Sequence, residues 1–197
     1  MQSNEVARLF VVAKTVKLAG GKRRQAGYYV CGFSKATAAP LELYPSAKKP
    51  TAIGLNGAFA FVTKDRGASG EGTNQGTYYN DVTLLDLKRR QVRYASTAGV
   101  RLSDMALSKK GVLAAVAESV GVQPEDDSSP TGRQEPSSRI QAVDVHDGHG
   151  KTEPTWQTLA SAAPGTFQRL AVTPDGDTLL WSRSDGTAGT APFQVRP

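Results

Sequence analysis

A single cysteine, Cys31, in 197 residues excludes an internal disulfide, so the chain must fold without oxidative crosslinks. It lies in the strand-like run YYVCGF, where the expected role is that of a small buried hydrophobe. Histidine is nearly as scarce: His146 and His149 are the only two. No apolar run approaches the roughly 20 residues that a membrane-spanning helix needs, and Leu9 to Ala13, among the longest, is only strand length. No segment longer than about ten residues carries helical periodicity with caps. The N-terminus, MQSNEVARLF, lacks the basic start, apolar stretch and small-residue cleavage site of a secretory leader. The expectation is a cytoplasmic protein, with a mature exported protein stripped of its leader as the alternative. Acidic side chains are outnumbered, 18 against 24 Lys and Arg, which leaves a net charge of +6. Such a balance permits contact with nucleic acid, anionic membrane or acidic protein, and demands none of them.

Turn-forming residues are plentiful, with 20 glycines and 11 prolines. A chain of this length buries roughly 70% of its unfolded surface, enough for a core without metals, and one domain over residues 1–197 is expected. Three stretches share one phrase, a glycine, nine strand-like residues and a second glycine: Gly57-AFAFVTKDR-Gly67, Gly111-VLAAVAESV-Gly121 and Gly176-DTLLWSRSD-Gly186. Matching lead-ins, LSDMALSKK and FQRLAVTPD, precede the last two. Sheet units recurring in this way indicate a radial repeat architecture.

Alternation and short apolar runs then give strands almost throughout, the continuous runs marking strands covered on both faces. VARLFVVAKTV and GYYVCGFSKA form a hairpin across the basic loop Gly20 to Gly27, and PLELYP makes an edge strand. A second unit turns at Asn56-Gly57, where two positive φ angles suit a tight hairpin, and again at Lys88-Arg89-Arg90. A third turns at Lys109-Lys110-Gly111 and at HDGHG, and a fourth at Pro174-Asp175-Gly176. Residues 121–138, rich in Pro, Ser and charge, are expected as a mobile surface insertion. The units fall at about 6–50, 51–100, 101–165 and 166–197. The fold class is therefore all-β, a propeller-like array of about 3.5 four-stranded antiparallel blades and about fourteen strands, with a β-sandwich as the rival. Such an array closes alone as a small ring, pairs with a second copy in a ring of about seven blades, or is completed by another polypeptide.

At LAVTPDGDTLLWS and MALSKKGVLAAVAES, followed by IQAVDVHDG, the chain resembles TolB-like, YncE-like and WD40-like propeller repeats. There a small-x-Ser/Thr-Pro-Asp-Gly turn joins the first two strands of a blade and an Ile-x-Val-x-Asp strand follows. Proline presets φ, aspartate bonds its own backbone and glycine takes the positive φ. The resemblance runs from Arg101 to the end, lacks the Gly-His and Trp-Asp signatures, and has Lys109-Lys110 in place of Pro-Asp. It implies a propeller fold without assigning a subfamily.

Few residues point to chemistry. His146 and His149, beside Asp144 and Asp147, are candidate metal ligands, but they occupy a hairpin turn with no third ligand nearby. Gly67, Gly70, Gly72 and Gly76 lead into tyrosines and a strand, whereas a phosphate cradle opens a helix. Ser103, Asp104 and Ser108 are distant in sequence from either histidine, and no Gly-x-Ser-x-Gly elbow is present. No catalytic residue, cofactor or metal is assigned. The candidate partner-binding residues are Lys22, Arg23, Arg24, Tyr78, Tyr79, Arg89 and Arg90, cations and aromatics of the kind that concentrate binding energy. Trp156, Phe167 and Trp181 are expected in the core. The leading expectation is a non-catalytic scaffold binding another protein or a second copy. A nucleic-acid or ribonucleoprotein-associated component is the first alternative, and a lactonase- or quinoprotein-like propeller enzyme the second.

Overall fold

The computed structural model describes residues 6–34, 40–69, 77–95, 97–98, 100–119, 137–146 and 154–193, with backbone alone at 7, 34, 40, 65–69, 77–79 and 98. Among the described residues there is no helix, and hence none long and apolar enough to cross a membrane. The described residues form fifteen strands in four sheets. Sheet I joins β1 (Val6–Lys17), β2 (Arg23–Ser34) and β3 (Pro40–Ser46) in that order. Sheet II joins β4 (Ala52–Asn56), β5 (Phe59–Ser69), β6 (Thr77–Asp86) and β7 (Gln91–Tyr94), with the short β8 (Thr97–Ala98) also pairing with β6. Sheet III holds β9 (Val100–Leu107), β10 (Val112–Ser119), β11 (Ser138–Asp144) and β12 (Gln157–Ala162). Sheet IV holds β13 (Phe167–Val172), β14 (Thr178–Arg183) and β15 (Ala188–Pro192).

Every pairing is antiparallel and each sheet is a meander of contiguous chain. The protein is all-β, a succession of open sheets compatible with an incomplete propeller-like ring or with stacked sandwich layers.

Three apolar layers hold the succession together. Val30 and Tyr44 of sheet I meet Ala60, Val62 and Leu85 of sheet II. The opposite face of sheet II sends Phe61, Val82 and Leu84 against Leu107, Leu113 and Val143 of sheet III. The other face of sheet III presents Val112, Ala114, Val116 and Ile140 to Phe167, Leu179 and Phe193 at sheet IV. Side chains alternate across a strand, so β10 serves two layers at once: Leu113 faces one and Val112, Ala114 and Val116 the other. That double covering is why VLAAVA is continuously apolar and buried at every position.

Polar groups stitch the layers. Asn56 Nδ2 donates to the Leu107 carbonyl at 2.8 Å, and Trp156 Nε1 to that of Ala95 at 2.7 Å. The Asp104 carboxylate accepts from the Leu170 amide at 2.6 Å, tying sheet III to sheet IV. Lys110 pairs with Asp177 across the same space.

Several details differ from the sequence expectation. The β1–β2 turn is shorter than the Gly20–Gly27 loop, because Arg23 and Arg24 already pair with Lys17 and Val16 inside the ladder. At the second unit's first turn only Gly57 has positive φ, at 59°, and Asn56 still pairs with Phe59. A leading glycine with positive φ followed by Ala58 is the pattern of a type II′ turn, and it leaves Asn56 free to bridge to sheet III. Ser138, placed at the end of the insertion, opens β11 and donates from its hydroxyl to Glu118 at 2.6 Å. Residues 121–136 lie outside the described residues, as do Gly70, Gly72, Gly76 and His149.

Candidate interaction surface

Among the described residues, sheets II and III are covered on both faces by their neighbours, whereas sheets I and IV each have a neighbour on one side only. Partners directly across a ladder share a face, so the uncovered side of sheet I can be read rung by rung. Leu9, Val11 and Ala13 pair with Gly32, Val30 and Tyr28 on the side of sheet II. The alternate rungs point away: Arg8 with Phe33, Phe10 with Cys31 and Glu42, and Val12 with Tyr29 and Pro45. Phe33 is 41% exposed and Val12 42%, unusual values for large apolar groups in a regular strand. The Phe10 and Phe33 rings stack at 4.9 Å between centroids, with 26° between their planes. The rings form a ridge on this outer face.

Cys31 lies among these side chains yet is only 5% exposed. Its thiol pKa is pushed up, first by burial and then by the negative charge of Glu42 across the ladder. A thiol held protonated is a poor nucleophile. Farther along, the Lys14 ammonium sits 5.0 Å from the Tyr29 ring centroid, and its pKa is raised chiefly by a hydrogen bond to the Tyr29 side chain. Lys14, Tyr29, Pro45 and Ser46 help to line a cavity of about 180 Å³ at this end of the sheet. Lys22, Arg23 and Arg24, all exposed, occupy the hairpin end beyond it.

Arg89 and Arg90 lie elsewhere, on the β6–β7 turn. Asp86 builds that turn by accepting from the amides of Lys88 and Arg89 at 3.0 and 2.9 Å, and Arg90 takes the positive φ of 54°. The turn meets the end of β11, where Arg89 Nη1 lies 3.1 Å from His146 Nδ1 and 3.8 Å from Asp86 Oδ2. Guanidinium only donates, so Nδ1 accepts and the ring proton belongs on Nε2. Phe59 meets the imidazole edge-on at 5.3 Å, and a cavity of about 330 Å³ opens among Ala58, Phe59, Lys88, Arg89 and His146. Among the described residues no three His, Cys, Asp or Glu side chains are grouped to hold a metal.

The remaining candidates fall to structural tasks or lie outside what is described. Asp104 binds the Leu170 amide and Ser108 Oγ accepts from the amides of Lys110 and Val112, so these groups build an interlayer tie and a turn. Trp156 packs on the layer between sheets II and III, and Phe167 and Trp181 meet edge to face at 6.2 Å between sheets III and IV. Tyr78 and Tyr79 pair through their backbones with Ala68 and Gly67, and their side chains lie outside the described residues. Arg89 and His146 are brought together, whereas Lys22, Arg23 and Arg24 belong to a different sheet.

Sequence reasoning did not single out Phe10, Val12 and Phe33. The run Leu9–Ala13 has the continuous apolar character of a strand covered on both faces, and membership of an end sheet leaves one of those faces uncovered. The signal was the combination: a fully apolar strand in the first unit of an unclosed array. No protein-family model and no curated protein sequence matches the chain.

Proposed function

We propose that this chain is a non-catalytic, propeller-like scaffold for protein–protein interaction, a subunit of a larger assembly, and that it docks through the outer face of sheet I. The observation that carries the reading is the stacked Phe10–Phe33 pair, with Phe33 and Val12 exposed, on a sheet face that no other part of the described chain covers. Contiguous exposed apolar groups on a regular sheet cost solubility, and a partner that buries them recovers the hydrophobic free energy. Aromatic side chains ringed by Arg8, Lys14 and Glu42 also match the usual make-up of an interface, apolar at the centre and charged at the rim. The resemblance of the C-terminal half to propeller repeats points the same way, since sheets of that kind stack face to face.

Phe33→Asp places a charge within the ridge of rings, on the end rung of the sheet, without disturbing the core. The variant should melt as the unaltered chain does and should lose the proteins that co-purify with it; an unchanged set of partners would remove this face from consideration. A nucleic-acid partner is the second reading, favoured by the exposure of Lys22, Arg23, Arg24, Lys88, Arg89 and Arg90. Binding of that kind must weaken steeply with salt and be indifferent to Phe33→Asp.

A further inference from the structure

The opposite end of the molecule bears on what covers sheet I. On sheet IV, Leu170, Trp181 and Gly189 form one inward rung and Val172, Leu179 and Ala191 another. The rungs between them point outward: Arg169 with Ser182 and Ala188, and Ala171 with Leu180 and Thr190. Leu180 is 37% exposed. Of six large apolar side chains exposed among the described residues, Val12, Phe33 and Leu180 lie on these two end faces. One face is a ridge of rings, and the other is shallow and made mostly of small side chains.

We infer that the partner of this chain is a second copy of itself, joined head to tail, so that the outer face of sheet I in each protomer packs on the outer face of sheet IV in the other and the two close into one ring of sheets. The inference rests on the interaction reading above and names its partner. It continues a packing mode that the chain already uses. Between sheets III and IV, bulky Phe167, Phe193 and Trp181 lie against Ala114, Ala142 and Val116, large groups against small ones. The ridge of Phe10, Tyr29 and Phe33 against Ala171, Ala188 and Thr190 repeats that match. Two copies of the ridge face to face would set ring against ring, with no recess to receive either.

Area selects the closed form over a single contact. Three strands about 4.8 Å apart and about six residues long present roughly 300 Å² on each face. One contact therefore buries roughly 600 Å² in total, within the range of adventitious packing, whereas two equivalent contacts bury roughly 1,200 Å², the lower bound of a stable interface. A head-to-tail contact that closes on itself satisfies both faces at once and leaves neither open to polymerise.

The test is light scattering on a size-exclusion column with the 197-residue chain at low and high protein concentration. The unaltered chain should run at twice its own mass. Phe33→Asp and Leu180→Lys should each run as monomers that still melt cooperatively, losing only the concentration-dependent part of the unaltered chain's stability. An equimolar mixture of the two should regain the dimer, because one contact is then native and the other sets the introduced carboxylate against the introduced ammonium. If Phe33→Asp is monomeric while Leu180→Lys remains dimeric, the ridge pairs with itself and the head-to-tail ring is wrong. An unaltered chain that is monomeric at both concentrations overturns the second copy but leaves the scaffold reading standing on its own experiment. Hydrogen exchange of the unaltered chain needs no substitution: protection that rises with concentration in β1–β3 and β13–β15 together supports the ring, and any other pattern overturns it.

Discussion

Gly111 shows how much can depend on the absence of one side chain. Its φ of 91° is disfavoured for any residue with a Cβ, and a Cβ built there would lie 2.6 Å from Val145 Cγ1 and 3.1 Å from the Phe59 ring. It closes the β9–β10 turn through its amide and accepts the Val145 amide with its carbonyl at 3.0 Å. Gly111→Ala should therefore cost roughly 1–2 kcal/mol in backbone strain and roughly 1–3 kcal/mol in crowding. Urea unfolding would read this as a lower midpoint at unchanged slope. Phe59 also touches His146, so the same variant should perturb the imidazole resonances. That glycine was legible as a turn residue from the repeated phrase alone. Its neighbours were not, because periodicity describes a strand's own faces and is silent on which distant side chain comes to rest against a turn.

At the scale of elements, the Pro174-Asp175-Gly176 turn is held by a charge. The Asp175 carboxylate accepts from Thr173 Oγ1 at 2.5 Å and from the Asp177 amide at 3.0 Å. These bonds, with Thr173 the larger influence and Lys109 and Lys110 lesser ones, hold its pKa below the ordinary aspartate value. A carboxyl whose folded pKa is depressed adds stability above its unfolded value, of about 3.9, and loses it as pH falls through the folded value. The β13–β14 turn should thus loosen in acid below about pH 4, read as faster exchange of the Asp177 amide, and Asp175→Asn should abolish that dependence. Asp185 holds the next turn through Thr187 and should titrate in the same sense. The Pro-Asp-Gly string announced the first of these turns because each residue answers a backbone requirement. By contrast the closing strand of the fourth unit, expected at APFQVRP, begins earlier as β15: Ala-Gly-Thr-Ala-Pro has little β-branched weight, and it becomes a strand because β14 offers it a free edge. Arg23 and Arg24 likewise belong to β2 through the ladder, although their side chains favour a reading as loop.

For the whole molecule, the order of the layers sets a gradient of stability. β10 is paired on both edges, with β9 and β11, and buried on both faces, while β1 and β15 lie at the outer margins of end sheets. Its amides, with those of β11, should exchange slowest and near the global unfolding free energy; those of β1 and β15 should exchange first in the monomer. Native-state exchange with mass spectrometry checks this, and uniform protection across the four sheets would contradict it. The succession of sheets was readable because each unit repeats its own turn chemistry and apolar rhythm. Which faces stay uncovered was not, since an apolar run shows that a face is suited to burial and does not say what buries it.

The meander topology has a further consequence for how the protein is made. Each sheet is complete as soon as its own short stretch of chain exists, yet it acquires a covered face only when the next sheet follows. Sheet I is finished at Ser46, while the Ala60, Val62 and Leu85 that cover Val30 and Tyr44 come later in the chain. During synthesis, then, sheet I leaves the ribosome before the residues that cover its inner face, with its future core still open to water. In that interval the nascent chain is at its most aggregation-prone, and a chaperone that shields apolar strands has most to protect there.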